Sequence, residues 1–215
     1  MKMNDVIILA DGEFPRRPQL LTMLKNAACV VCCDGAADKL LAFGREPDWI
    51  VGDLDSVSPA TKERFADRAV KFFEQETNDL AKAFRFCRER KLQVSAVLGA
   101  AGMREDHLLG NLGRFAEAAG KFPGCRLYTE TGYFCVFSHS GEFVAPVGSQ
   151  VSIFSFDPAA KLNSSGLKYP LTDLNLAWWY SGTLNEVANS PFTVRSDRET
   201  PILLFFNCPH LNCCK

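Results

Sequence analysis

The stretch that decides the fold of the first half of the chain is WIVGDLDSVSP, residues 49–59. Its apolar start, Trp49-Ile50-Val51, predicts a short buried strand that ends at Gly52. Ser58 followed by Pro59 resembles a helix N-cap with proline at the first helical position, and predicts a helix that runs through Asp67. The eleven residues therefore predict a strand, a polar turn and the start of a helix.

The same alternation continues on both sides of this stretch. Apolar runs occur at residues 6–9, 29–33, 70–73, 94–98 and from 127, and helical patterns occur at 18–25, 36–44, from 78 and from about 106. Short apolar strands that alternate with helices predict a parallel sheet covered on both faces. Residues 1–129 are thus predicted to form a doubly wound α/β domain, although no G-x-G-x-x-G follows the first strand.

The pattern changes after residue 129. Short β-rich runs appear at 133–137, 143–145, 151–156, 192–194 and 202–206, separated by Gly, Pro, Asn, Ser and Asp. No convincing helical pattern follows, so residues 130–215 are predicted to form an all-β sandwich.

The composition excludes several classes of partner. The 215 residues include 24 basic and 25 acidic residues, a net charge of −1, which predicts no nucleic-acid or membrane-surface binding. The first apolar run is too short for a signal peptide, and no run approaches the roughly 20 residues of a membrane span, so a cytoplasmic protein is expected.

The nine cysteines show no recognised framework. Cys29 and Cys32 form a C-x-x-C, but their spacing on a strand sends them to opposite faces, so buried small hydrophobic residues are predicted rather than a redox or metal pair. The end of the chain offers metal-type ligands without a recognised spacing, and a zinc site there is disfavoured; these ligands are Cys208, His210, Cys213 and Cys214.

Acidic side chains follow five consecutive predicted strands. They are Asp11, Asp34, Asp53 with Asp55, the group Glu74, Glu76 and Asp79, and finally Asp106 beside Arg104. The carboxyl ends of strands in an open α/β sheet line one crevice, so these loops should meet. Each residue alone could serve as a turn residue or N-cap, as Asp34 before Gly35 or Asn78 could. Several carboxylates on one edge repel each other unless a cation neutralises them, and Mg²⁺ suits oxygen ligands.

Basic and glycine residues on the same edge predict a phosphate site. Arg104 and Lys82 supply positive charge, and Gly99 and Gly102 allow close backbone approach ahead of a helix N-terminus. The residues therefore indicate a Mg²⁺-dependent nucleotide or phosphoryl-transfer site, with the acceptor left open.

Five motifs in order resemble one family. They are Cys33-Asp34-Gly35-Ala36, Pro47-Asp48-x-x-Val51-Gly52-Asp53-x-Asp55-Ser56, Glu76-Thr77-Asn78-Asp79-Leu80-x-Lys82-Ala83, the run from Gly99 to Leu112, and Gly166-Leu167-Lys168-Tyr169-Pro170-Leu171. Together they are similar to the motifs of the thiamine pyrophosphokinase family. The resemblance implies an α/β catalytic domain, a C-terminal β-sandwich and a homodimer with thiamine at the subunit interface.

The resemblance also implies an activity, which is transfer of the diphosphoryl group of ATP to the hydroxyl of thiamine with release of AMP. It implies Mg²⁺ held by Asp53, Asp55 and Asp79, and charge neutralisation by Arg104. Asp106 would orient metal, water or the attacking hydroxyl, and the general base would be Asp79 or Asp106. The implied ATP-binding residues are Asp34, Gly35, Lys82, Gly99, Gly102 and Arg104, and the implied thiamine-binding residues are Asn185, Trp178 and Trp179.

The sequence departs from the family pattern at four positions. Met103 stands where the family often has glycine, Glu76 and Asn78 replace Asp and Thr, and Leu184 replaces a serine next to Asn185. Trp178 and Trp179 are adjacent, so on a strand at most one could stack on thiamine. Two alternatives stay open, another Mg²⁺-dependent transferase with a D-x-D site and a non-catalytic nucleotide- or thiamine-binding regulator.

Overall fold

A computed structural model describes residues 5–208 of the chain. The chain divides into two compact units, the first ending at Glu130 and the second beginning at Thr131. Of the predicted metal-type ligands at the end of the chain, only Cys208 lies within the described residues, where its side chain is buried. His210, Cys213 and Cys214 lie outside them.

The first unit contains a parallel sheet flanked by helices. Its strands are β1 (Val6–Leu9), β2 (Cys29–Cys33), β3 (Trp49–Gly52), β4 (Ala69–Lys71), β5 (Val94–Leu98) and β6 (Arg126–Tyr128). Its helices are α1 (Pro18–Asn26), α2 (Ala36–Ala42), α3 (Pro59–Arg64), α4 (Asp79–Glu89) and α5 (Glu105–Ala119). The strand order β6-β5-β1-β2-β3-β4 is that of a doubly wound sheet, and the predicted fold class is confirmed.

The order of the strands creates the crevice. β1 pairs with β2 on one side and with β5 on the other. After β1 the strands β2, β3 and β4 extend the sheet toward one edge, and the later strands β5 and β6 extend it toward the other. Loops that follow neighbouring strands diverge at such a switch point and leave room for a ligand. All four residues of β1 are buried, as expected for a central parallel strand.

Local signals set the helix starts. Ser58 Oγ accepts a hydrogen bond from the Thr61 N–H and Pro59 begins α3, as predicted, although α3 ends at Arg64 instead of residue 67. Asn78 caps α4 in the same way by accepting from the Ala81 N–H. Both caps satisfy a backbone donor that has no partner inside the helix.

The second unit is all-β within the described residues. One of its sheets has the order β12-β9-β14-β7 and the other β11-β10-β13-β8, with antiparallel pairing throughout. The strands are β7 (Gly132–Phe137), β8 (Ser140–Phe143), β9 (Gln150–Ser155), β10 (Lys161–Ser165), β11 (Leu174–Asn175), β12 (Gly182–Glu186), β13 (Phe192–Ser196) and β14 (Ile202–Asn207).

Aromatic side chains join the two sheets of this unit. Phe143 of β8 lies 5.9 Å from Phe206 of β14, and Phe192 of β13 lies 6.0 Å from the same ring, measured between centroids. Such contacts across facing sheets form the core of a sandwich. The sequence pattern did not predict β10, β11 and β12, because their segments, KLNSS, LN and GTLNE, are short and mostly polar.

The cysteine prediction agrees with the structure. Cys29 is half-buried, Cys32 is fully buried, and both thiols are free. Burial, reinforced by the nearby Asp48 carboxylate, raises the pKa of Cys29 to about 11, and burial raises that of Cys32 further. These thiols are therefore protonated and unreactive at neutral pH. No helix among the described residues is long and apolar enough to cross a membrane.

Candidate active site

A cavity of about 590 Å³ lies at the carboxyl ends of the strands of the first unit. The loops after β1, β2 and β3 and the starts of α4 and α5 line it. Its acidic, basic and histidine side chains are Asp11, Asp34, Asp53, Asp55, Asp79, Lys82, Arg104, Asp106 and His107. The predicted convergence of distant loops on one crevice is therefore present in the structure.

Three of the carboxylates that line this cavity form a cluster. Asp34, Asp53 and Asp55 each place an oxygen within 4.8 Å of the others. Asp34 follows β2 with φ of 46°, and Leu54, between the other two aspartates, has φ of 66°. Non-glycine residues seldom adopt these left-handed conformations, and they often do so at functional sites.

The environment sets opposite protonation preferences within the cluster. Burial raises the pKa of Asp34 to about 7, a hydrogen bond from the Ser56 N–H opposes the shift, and Asp55 adds to it. Burial also disfavours the charged form of Asp53, but hydrogen bonds from the Asp55 N–H and Gln75 hold its pKa below the usual value.

Asp34 Oδ1 is buried and has no hydrogen-bond partner among residues 5–208. A buried acceptor without a partner is costly, so this oxygen is available to a ligand.

A buried lysine accompanies the carboxylates. Lys82 is 2% exposed, and its Nζ lies 3.0 Å from Asp79 Oδ1 and 4.0 Å from Asp53 Oδ2. Lys82 reaches the site from the first turn of α4. The stretch from Trp49 to Pro59, which contains Asp53 and Asp55, has no basic residue of its own, and Lys82 supplies the missing positive charge from a distant part of the chain. Burial raises the pKa of Asp79, and Lys82 limits the rise.

Asp79 differs from the other predicted metal ligands in its contacts. Its carboxylate pairs with Lys82 and lies outside the group of three, while Asp34, which the motif comparison assigned to ATP, belongs to that group. Burial opposes the charged form of Lys82 as well, but the contact with Asp79 raises its pKa overall, so the lysine is a cation.

Arg104 and Asp106 lie at the cavity rim and pair with each other. Arg104 Nε donates to Asp106 Oδ1 at 3.0 Å and Arg104 Nη2 donates to Asp106 Oδ2 at 2.5 Å, in the two-pronged geometry that arginine favours. The hydrogen bonds from Arg104 hold the pKa of Asp106 below its usual value. Both side chains are exposed, so the pair is accessible to a ligand.

The three glycines that the resemblance assigned to ATP binding, Gly35, Gly99 and Gly102, have packing roles and do not line the cavity. A Cβ on Gly35 would lie 2.7 Å from Asp11 Oδ2, and one on Gly99 would lie 2.6 Å from the Ala10 carbonyl oxygen. Gly99 and Gly102 also have φ of 68° and 89°, conformations that favour glycine. The lining residues of this loop are Ala100, Ala101, Met103 and Arg104.

The predicted thiamine residues lie in the second unit. Asn185 is buried, and its amide donates to the Tyr169 carbonyl at 2.7 Å and accepts from the Tyr169 N–H at 3.2 Å. Its polar atoms therefore stabilise the Gly166–Leu171 segment. Leu184, which replaces the family's serine, is 75% exposed with φ of 61°.

The assumption that Trp178 and Trp179 alternate on a strand is wrong. They lie in a bend and turn between β11 and β12, because the strand ends at Asn175. Trp178 is 66% exposed and Trp179 is 38% exposed, and both belong to an aromatic group with Tyr180 and Phe156. Both rings are thus accessible.

Sequence reasoning placed Glu74 among the acidic side chains of the crevice and did not predict its contacts with the following loop. Its Oε1 accepts from Thr77 Oγ1 at 2.6 Å and from Arg85 at 2.8 Å, and its Oε2 accepts from the N–H groups of Glu76 and Thr77. The hydrogen bond from Thr77 Oγ1 lowers the pKa of Glu74 most, and the bonds from Arg85 and the two N–H groups add to this, so that the pKa falls to about 2. Glu74 therefore holds the loop that leads to Asp79.

Comparison with known proteins decides the family. The family model described as thiamin pyrophosphokinase, catalytic domain, matches residues 20–129, and the one described as thiamin pyrophosphokinase, substrate-binding domain, matches residues 132–205. The chain belongs to the thiamin pyrophosphokinase family. This confirms the predicted family and enzyme class.

Curated relatives agree with the family models. Thiamine pyrophosphokinase 1 of Oryza sativa subsp. japonica is 25% identical over 238 residues, covering 90% of this chain and 84% of its own. Thiamine pyrophosphokinase of Bacillus subtilis is 25% identical over 182 residues, covering 81% and 85%. The crystal structure of the Bacillus subtilis protein has a TM-score of 0.74 at 21% identity, with 95% of this chain and 100% of that chain covered, which supports the fold.

Proposed function

We propose that this thiamin pyrophosphokinase family member transfers the diphosphoryl group of ATP to the hydroxyl of thiamine and releases AMP. The observation that carries the proposal is the Asp34–Asp53–Asp55 cluster, beside the buried Lys82, in a cavity of the unit that the catalytic-domain model matches. Carboxylates together with buried and rim cations are the parts that a phosphoryl-transfer site requires.

The donor set suits Mg²⁺. All three clustered side chains offer carboxylate oxygens, and Asp34 Oδ1 is buried without a partner in the described part of the chain. Asp34, Asp53 and Asp55 would hold the ion, and Asp79 remains a predicted fourth ligand. When bound, Mg²⁺ neutralises charge on the phosphates.

The protein's own cations would orient the phosphates. Lys82 is fixed by Asp79 and Asp53 and presents its charge to the cavity without rotamer freedom to lose. Arg104 would leave the Asp106 carboxylate and bind phosphate oxygens, because a carboxylate and a phosphate can each accept from both donors of the guanidinium. That exchange would free the Asp106 carboxylate for the attacking hydroxyl, and Asp79 is the other candidate base. Such a mechanism is positioning and electrostatic stabilisation.

The second unit would bind thiamine. Residues 132–205 match the substrate-binding-domain model, and Trp178 and Trp179 expose aromatic faces on which a cationic thiazolium can stack. We propose that Asn185 acts by holding the backbone at Tyr169 instead of contacting thiamine directly. We further propose a homodimer, in agreement with the exposed aromatic surface.

We also propose that the enzyme acts in the cytoplasm. Five cysteines of the first unit, Cys29, Cys32, Cys33, Cys87 and Cys125, form no disulfide, and burial raises the pKa of each, so they are protonated at neutral pH. Free buried thiols are typical of a reducing compartment, where ATP is also present.

The proposal is tested by incubating the full chain with ATP, Mg²⁺ and thiamine and measuring nucleotides and thiamine diphosphate together. AMP and thiamine diphosphate should appear in equal amounts, and neither should form without thiamine. Asp53→Asn and Asp55→Asn should each reduce turnover by roughly a hundredfold or more, while Asp67→Asn, at an exposed position away from the cavity, should not.

Three outcomes contradict the proposal. ADP as the sole nucleotide product indicates another kinase reaction, and turnover of a different donor without thiamine indicates another D-x-D transferase. Tight binding of ATP or thiamine without AMP release indicates a regulator.

A further inference from the structure

A second cavity of the first unit lies between α4 and α5 and is lined mainly by cations. Its volume is about 210 Å³, and Phe84 forms part of an apolar floor. The charged side chains that line it are Arg85, Arg88, Arg114, Lys121 and Glu117. Four cations around one carboxylate contrast with the net charge of −1 of the whole chain. We refer to this cavity as the α4–α5 groove.

Ion pairs neutralise only part of this charge. Arg114 contacts Glu117 at 3.0 Å, and Arg85 contacts Glu74 at 2.8 Å. Arg88 and Lys121 are exposed and form no ion pair with any residue in the 5–208 range. Two uncompensated cations therefore face one small cavity, where their repulsion is relieved when an anion binds.

Arg85 gives a second, independent indication. Its Nε is buried and has no hydrogen-bond partner among the described residues. Its guanidinium lies 4.5 Å over the Phe72 ring and contacts Glu74 on one side, so the orientation of its donors is set in advance. An arginine held in this way is suited to phosphate oxygens.

The groove is connected to the candidate active site. Thr77 lines both cavities. Glu74, the partner of Arg85, also accepts from the N–H groups of Glu76 and Thr77 at 2.9 and 3.0 Å. An anion that draws Arg85 away from Glu74 would loosen the loop that precedes Asp79.

We propose that the α4–α5 groove binds a small phosphorylated anion of the diphosphate class, and that this binding is transmitted to residues 74–78 through Arg85 and Glu74. The volume is below the range of drug-sized ligand sites and suits a small polyanion. This site is separate from the diphosphoryl transfer proposed above and does not depend on it.

The test is a titration of the full chain with inorganic pyrophosphate in EDTA, followed by calorimetry and by amide NMR. EDTA removes divalent cations, so the Asp34–Asp53–Asp55 cluster repels pyrophosphate and the main cavity does not compete. The variant Arg88→Glu/Lys121→Glu should bind roughly tenfold more weakly or worse. Both residues are exposed, so the variant should fold, and its amide spectrum checks this.

The matched control is Lys25→Glu/Lys71→Glu, which makes the same change in net charge at exposed positions outside both cavities. It should retain the affinity of the parent within about twofold. Pyrophosphate should also shift the amide signals of Glu76 and Thr77 in the parent chain.

The proposal is overturned if pyrophosphate does not bind, or if Arg88→Glu/Lys121→Glu and the control bind it equally. Binding that leaves the Glu76 and Thr77 signals unchanged overturns the transmission to the loop. The titration contains neither ATP nor thiamine, so its outcome is independent of the proposed enzymatic activity.

Discussion

Replacing Asp34 with asparagine should stabilise the chain at both pH 5 and pH 8, and by about 3 kcal/mol more at pH 8. The Asp34 side chain is buried, and burial raises its pKa from the usual 3.8 to about 7. The folded state therefore favours the neutral carboxyl, and stability is lost between pH 3.8 and about 7, where the unfolded chain ionises before the folded one. Asparagine is nearly isosteric, stays neutral, and tolerates the φ of 46° at this position.

The size of the effect follows from the difference in pKa. A carboxyl whose folded pKa is raised contributes stability that is fully present below pH 3.8 and is lost as the pH rises through about 7. Between pH 5 and the folded pKa there are about two units at 1.36 kcal/mol each, so the free energy of unfolding falls by about 3 kcal/mol. The gain from Asp34→Asn should therefore be larger at pH 8 than at pH 5 by about this amount.

The assay is urea unfolding in EDTA at pH 5 and pH 8, followed by circular dichroism. Asp38→Asn is the control, four residues further along the chain. Burial disfavours the charged Asp38, but hydrogen bonds from Ser58 and Thr61 outweigh this and lower its pKa. Its stabilising contribution is present above the unfolded pKa, so Asp38→Asn should destabilise the chain at both pH values, by about 1–3 kcal/mol.

A gain from Asp34→Asn that is the same at pH 5 and pH 8 would refute the reasoning, because it would be independent of ionisation. So would a loss of stability at pH 8. A pH-dependent gain together with a pH-independent loss for Asp38→Asn is the expected pattern.

Three other substitutions test contacts of the site. Lys82→Met should raise the pKa of Asp79, because the positive charge of Lys82 lowers that pKa in the parent chain. The acid limb of the pH–rate profile should then move to higher pH. An acid limb that does not move argues against Asp79 as the titrating group. Asn78→Ala removes the cap on α4 and should cost about 1 kcal/mol in urea unfolding, with Asn78→Asp as the conservative control. Asn185→Ala should lower stability by about 2–3 kcal/mol, since it leaves the Tyr169 backbone groups unpaired; a change in thiamine KM at unaltered stability would instead assign Asn185 to ligand binding.

Most elements of the first unit could be predicted because their signals are local. The strand bounds of β1, β2 and β5 agree with the predicted runs, since a parallel strand buried on both faces is apolar along its whole length. The caps Ser58 and Asn78 are likewise visible in a few residues. β10, β11 and β12 were missed because strands partly exposed to solvent carry polar residues, and their pairing depends on distant partners.

By itself, the sequence determined which residues of the site are acidic, and it determined that they follow successive strands, so that a parallel sheet must bring them to one edge. Only the tertiary structure decided how these groups pair. In the structure Asp34 clusters with Asp53 and Asp55, and Asp79 forms an ion pair with Lys82. The amide of Asn185 is hydrogen-bonded to the backbone of Tyr169. The physical reason is that periodicity and turn chemistry act over a few residues, whereas burial, pKa and ion pairing depend on atoms a few ångströms apart in space and far apart along the chain.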